Sequence, residues 1–181
     1  MGPVVDRAAS TQLLHASMGE RVQRLGYRIT NSLIQADRGI RRSHGRGVKL
    51  ILEDASGRIL LVSHTYGRRH WTFPGGGVRS NEDPLSAARR ECLEELGISP
   101  ESLDLLGTHP ARSKRRIDVV SVFLLRGFRP EAIEANPVEL SSLCWISTSE
   151  LPSNIDPNVR VALGLLQGRN AEIAASRDHA T

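Results

Sequence analysis

Residues 76–98 read GGVRSNEDPLSAARRECLEELGI. From Asp83 onward, Leu85, Ala88, Cys92 and Leu96 recur at the spacing of one helical face, and Gly97 is a stop residue of the kind that ends helices. The spacing predicts a helix over 83–96 behind a glycine-rich loop. At 100° per residue, Glu91, Glu94 and Glu95 fall within an arc of roughly 100° on one side of that helix. Three converging carboxylates repel one another unless a cation sits among them. Hard oxygen donors of this kind suit Mg²⁺ or Mn²⁺ better than softer metals. The competing reading is a solvated acidic face, the usual fate of a charge run.

The residues around the glutamates decide between the two. The whole stretch resembles the Nudix box, G-x5-E-x7-R-E-U-x-E-E-x-G-U with U a bulky apolar residue. Its fixed positions are filled by Gly76, Glu82, Arg90, Glu91, Glu94, Glu95 and Gly97, and its apolar places by Cys92 and Ile98. Such a match is far more specific than a three-residue motif. The similarity extends outward over about 47–152: Trp71 to Pro74 resembles the strand entering the box, and Trp145, Ile146 and Glu150-Leu151-Pro152 resemble the strand and turn that close the domain.

The resemblance implies an α/β fold, an α/β/α sandwich around a mixed β-sheet, to which this chain adds an amino-terminal helix. It implies that Glu94 and Glu95 bind divalent metal, with Glu91 and the Gly76 carbonyl as further ligands. Arg90 would orient Glu91, whose carboxylate ligates metal or activates water, and Glu82 would support the loop. Glu139, six residues before Trp145, falls where several members carry an extra ligand or general base; its rival reading is a solvated loop acid. Arg79 stands where an acid is frequent and Asn81 where a glycine is frequent. Arg79 therefore either salt-bridges the acidic cluster or touches a substrate phosphate.

A pyrophosphate linkage is anionic and repels hydroxide, so its hydrolysis needs metal to neutralise the phosphoryl oxygens, a positioned water and cations for the leaving group. Arg68 and Arg69, just before Trp71, or the run Arg112, Lys114, Arg115 and Arg116, are the candidates for phosphate contact, against the bland reading of basic loop residues as solubilising.

Upstream of the box, 47–53 and 58–64 are apolar runs separated by Asp54, Ala55, Ser56 and Gly57, which predicts a β-hairpin. Downstream, strands are expected at 119–126 and 140–146, a short helix at 148–151 and a closing helix at 158–167. Domain limits follow: 1–46 as amphipathic helix and basic linker, 47–168 as the catalytic domain, 169–181 as a flexible tail. In the first segment Leu14, Met18, Val22, Leu25, Ile29 and Leu33 share one helical face. That helix either packs on the domain or on a second copy as a homodimer, or its arginines hold it to an acidic membrane surface; packing is the expected role.

The 181 residues suit one domain with appendages, and 39% apolar with 24% charged residues is ordinary for a globular chain with no membrane span. No secretory signal is read at the start, so the cytoplasm is the expected compartment. Cys92 and Cys144 lack metal or disulfide spacing, and the six histidines show no ligand pairing, so His64, His70 and His109 are read as packing or surface residues. No G-x-S-x-G or P-loop lysine occurs. The net charge of +4 suits an anionic partner, and aromatics at 4% provide no single-strand stacking platform.

The expected activity is Mg²⁺- or Mn²⁺-dependent cleavage of a pyrophosphate bond in a small nucleotide derivative. Two alternatives stay open. One is an RNA 5′-end pyrophosphohydrolase, which the basic segments permit without favouring nucleic acid; the other is a non-catalytic Nudix-like nucleotide-binding module, whose usual mark, lost box glutamates, is missing here. No subgroup residue downstream of the box identifies the substrate.

Overall fold

The computed structural model describes residues 45–66, 69–113 and 116–178. The expected helix within 1–46, Arg68, Lys114 and Arg115 lie outside the described residues.

Five strands form one mixed sheet: β1 (Arg46–Asp54), β2 (Ile59–His64), β3 (Asp104–Ser113), β4 (Arg116–Phe128) and β5 (Leu140–Ile146), ordered β3-β4-β1-β2-β5. β1 runs parallel to β4, while the other pairings are antiparallel. Helix α1 (Pro84–Leu96) covers one face and helix α2 (Pro157–Asp178) the other. β1 and β2 read as apolar runs, interrupted in β1 by Lys49, because both their faces are buried. Val48, Leu50, Leu52, Leu60 and Val62 pack with Ala88, Cys92 and Leu96 of α1. Ile51, Ile59 and Leu61 point the other way, onto Val159, Ala162, Leu163 and Leu166 of α2.

The β1–β2 turn is held by one buried carboxylate. Asp54 accepts the Ser56 and Arg58 amides at 2.9 Å each and the Arg58 Nε at 2.8 Å, while Gly57 takes φ 76°. β1 and β2 pair at this end and then part. The segment 72–78 fills the opening: Thr72 exchanges backbone hydrogen bonds with Val62, while the Pro74 and Gly76 carbonyls accept from Leu50 and Val48 of β1 at 3.0 and 2.9 Å. A glycine loop is thereby laced into the sheet and delivered to the start of α1. Asp83 caps that helix, accepting the Leu85 and Ser86 amides, and Gly97 closes it at φ 73°.

Two expectations are corrected, and one strand carries no signal in the sequence. β3 was not anticipated: Pro110 and Gly107 interrupt its sequence, and they are tolerated because it is an edge strand with a register irregularity between Leu105 and Gly107. Residues 148–151 form a turn, closed by Glu150 N–H to the Ser147 carbonyl at 3.0 Å, not a helix. The closing helix does not stop at Gln167, and the expected tail from 169 is helical as far as Asp178. Gly168 has open space around its Cβ position, and the following Ala- and Glu-containing turns carry the helix on as an exposed extension.

Candidate active site

Gly75 lies at φ 125°, and a Cβ there would stand 2.3 Å from the Val48 carbonyl oxygen. Only glycine lets the loop approach β1 so closely. The turn exposes the Gly75 N–H, which donates to Glu95 Oε2 at 2.8 Å. A Cβ on the next residue, Gly76, would meet Glu91 Oε1 at 2.5 Å. The bare loop backbone therefore forms a seat for two helix carboxylates.

Arg90 is the hub. Its Nε and Nη2 donate to the two Glu82 oxygens at 2.8 and 3.0 Å, Nη2 also to the Gly77 carbonyl at 2.9 Å, and Nη1 to Glu91 Oε1 at 2.7 Å and Glu94 Oε2 at 3.0 Å. Only a planar fork with several donors can hold loop and helix in this way. Glu82 also accepts the Arg79 amide at 3.0 Å. Burial raises the Glu82 pKa, but the hydrogen bonds from Arg90 and the Arg79 amide outweigh it and hold the carboxyl below its ordinary value.

The three glutamates of the helical arc lie at different depths. Glu91 and Glu95 are 7% and 2% exposed, whereas Glu94 turns outward to Arg90 and Arg79, the latter at 3.3 Å. Among the described residues no three acidic, histidine or cysteine side chains share one metal-binding point. Arg90 Nη1 bridges Glu91 and Glu94, while Glu95 is held by the Gly75 amide. Burial, and next their mutual repulsion, push the Glu95 carboxyl up; burial does the same for Glu91 against the pull of Arg90. Two buried, mutually repelling oxygen donors beside an open glycine seat fit a hard divalent cation.

Several neighbours were not singled out by the sequence. His64, at the end of β2, places Nε2 at 3.2 Å from Glu95 Oε1; burial, and next Lys49, lowers its pKa to about 4, so at neutral pH the contact is not an ion pair. Lys49 donates to the Phe73 carbonyl at 2.7 Å just before the glycine loop, and burial lowers its pKa against the pull of Glu95, Asp156 and Glu91. Buried Asn136 ties the carboxyl end of α1 to the following loop: its amide donates to the Glu95 carbonyl at 2.9 Å, and its side chain to the Glu94 carbonyl and Glu139 Oε1 at 3.3 and 3.4 Å. Thr65 N–H donates to the Glu139 carbonyl at 2.9 Å, fixing that loop to the end of β2. Apart from Asn136 to Glu139, these contacts join residues far apart in the chain, so no local pattern could reveal them.

Of the sequence-selected residues, the structure brings together Gly76, Arg79, Glu82, Arg90, Glu91, Glu94 and Glu95, with the Glu139 loop docked alongside through Asn136. Arg79 Nη2 stands 3.3 Å from Glu94 Oε1. Arg69 is exposed, and its carbonyl accepts from Asn154 at 3.5 Å.

The sequence profile of the NUDIX domain matches residues 43–165. An RNA pyrophosphohydrolase of Saccharophagus degradans is 40% identical over 60 residues, 33% of this chain and 35% of that protein. One from Halorhodospira halophila is 42% identical over 60 residues, 33% of each. The chain thus aligns with about a third of the length of these curated relatives. Among solved structures, the MutT NUDIX hydrolase from Burkholderia pseudomallei superposes with a TM-score of 0.57 at 28% identity, covering 66% of this chain and 97% of that one. A C. elegans Ap4A hydrolase gives 0.59 at 25% identity, covering 72% and 98%.

Proposed function

The chain belongs to the NUDIX domain family, and from that premise we propose that it hydrolyses, with a divalent cation, the pyrophosphate bond of a nucleoside diphosphate linked to another moiety. The observation that carries the reading is the Arg90 hub, which joins Glu82, Glu91, Glu94 and the Gly77 carbonyl into one loop–helix unit. Glu91, Glu94 and Glu95, with the Gly76 carbonyl, would hold Mg²⁺ or Mn²⁺. When bound, the ion supplies charge neutralisation for the phosphoryl oxygens and a more acidic water.

The remaining work falls to the chain's own side chains. Arg90 fixes the Glu91 carboxylate against the Gly76 backbone, so a water proton has a preorganised acceptor there. Glu139, set by Asn136, is the second candidate base or ligand. Arg79 exchanges Glu94 for a substrate phosphate, and Arg68 and Arg69, which precede Trp71 in the sequence, are the candidates for further phosphate contacts. The box glutamates are all retained, which speaks against a non-catalytic nucleotide-binding module. Among the described residues no helix is long and apolar enough to cross a membrane. We place the activity in the cytoplasmic nucleotide pool.

A second substrate class has its own support, because the relatives cited above are named RNA pyrophosphohydrolases. A panel of nucleoside triphosphates, nucleotide sugars, ADP-ribose, dinucleoside polyphosphates and 5′-triphosphorylated RNA separates the two. Small nucleotides turned over at rates insensitive to salt support the first reading. Turnover confined to RNA and falling steeply with salt supports the second.

A further inference from the structure

The chain has few aromatic residues, and one of them stands at the edge of the carboxylate cluster without an assigned task. Tyr66 is 50% exposed. Its ring packs edge-to-face on His64, with centroids 5.4 Å apart and planes at 89°, and His64 in turn contacts Glu95 at 3.2 Å. Thr65, between the two rings, is pinned on both sides: its N–H donates to the Glu139 carbonyl at 2.9 Å and its hydroxyl to the Val138 carbonyl at 2.6 Å. The ring is therefore a fixed, half-open aromatic surface two short contacts from the groups proposed to handle phosphate.

We propose that Tyr66 is a specificity-determining residue that stacks on the nucleobase of the substrate. This rests on the function proposed above. A ligand whose phosphates lie at Glu91, Glu94 and Glu95 carries its base only one sugar away. Any base offers a π-face to such a ring, so stacking selects for a nucleoside without selecting strongly among bases. Preorganisation favours this use: the ring is already held by His64, so little side-chain freedom is lost on binding. Burial, and next Glu95, Glu139 and Glu91, hold the Tyr66 phenol up at about 12, so the stacking ring stays neutral.

Calorimetric binding of AMP, GMP, CMP and UMP, with ribose 5-phosphate as the base-free comparator, tests the assignment on the full chain. Tyr66→Ala is expected to weaken the nucleotides about tenfold and leave ribose 5-phosphate unchanged, while Tyr66→Phe keeps wild-type affinity for both. Equal nucleotide affinity in wild type and Tyr66→Ala overturns the proposal. So does an equal loss for nucleotides and ribose 5-phosphate, which would put the effect on the His64–Glu95 contact, and so does a wild type that binds no nucleotide more tightly than ribose 5-phosphate. Pyrophosphate hydrolysis by the wild type reports separately on the parent reading, so an active enzyme indifferent to the base sinks only the stacking role.

Discussion

The Gly75 amide and the Glu95 carboxylate, 20 positions apart in the chain, meet in a 2.8 Å hydrogen bond. The contact couples a backbone conformation open only to glycine with the most deeply buried acid on α1. Loop and helix consequently behave as one unit.

Gly75→Ala combines a left-handed backbone with a clash against the Val48 carbonyl. We expect a loss of roughly 3 to 5 kcal/mol. Gly57→Ala, at φ 76° with nothing near its Cβ position, is expected to cost only about 1 kcal/mol. Urea unfolding of the two variants gives the comparison, and similar losses would remove the close approach to β1 as the reason for glycine at 75.

Gly76→Ala meets a side-chain end rather than backbone, the Glu91 carboxyl group with Oε1 at 2.5 Å. Stability should hold within about 1 kcal/mol, while kcat falls about tenfold to a hundredfold as the carboxylate is displaced. Steady-state kinetics beside a melting curve separate the two effects. An active Gly76→Ala enzyme would show that Glu91 need not sit against the loop.

Arg90→Lys keeps the charge and loses the fork. One ammonium cannot reach Glu82, Glu91, Glu94 and the Gly77 carbonyl together. kcat should drop about a hundredfold with a smaller change in KM. Near-wild-type turnover would mean that charge alone suffices.

The site and the fold were legible in the sequence to different degrees. The hairpin, α1 and β5 could be read because each carries its own signal: turn residues at 54–57, an apolar stripe with Gly97 as its stop, and a strand-forming run at 140–146. β3 was hidden because Gly107 and Pro110 look like loop residues until an edge position excuses them. The closing helix is expected over 158–167, although α2 runs on through Gly168 to Asp178. His64, Lys49 and Asn136 were invisible for a different reason. Each owes its place to a partner 24 or more residues away, such as Phe73 for Lys49 or Glu94 for Asn136, and the register of strands and loops creates those neighbours.

Asp54 gives a pH-dependent test of the hairpin. Burial raises its pKa, but the hydrogen bonds from Arg58 and Ser56 more than offset this and hold the carboxyl below its ordinary value. A lowered folded-state pKa adds stability above the unfolded value of about 3.9, and that stability is lost as pH falls through the folded value. Asp54→Asn should therefore be less stable than wild type near neutrality, with the gap narrowing below about pH 4. Urea midpoints measured from acid to neutral pH check this; a gap constant across the range would assign the effect to packing.

The central claim, cation-dependent cleavage of a pyrophosphate bond at the Glu91–Glu94–Glu95 site, is tested most directly by phosphate release from the substrate panel. The assay compares wild type and Glu94→Gln across a Mg²⁺ and Mn²⁺ titration and after chelation. We predict turnover that appears with the cation, disappears with the chelator and falls by at least about a hundredfold in Glu94→Gln. Turnover that survives chelation, or a Glu94→Gln enzyme as active as the wild type, would contradict it.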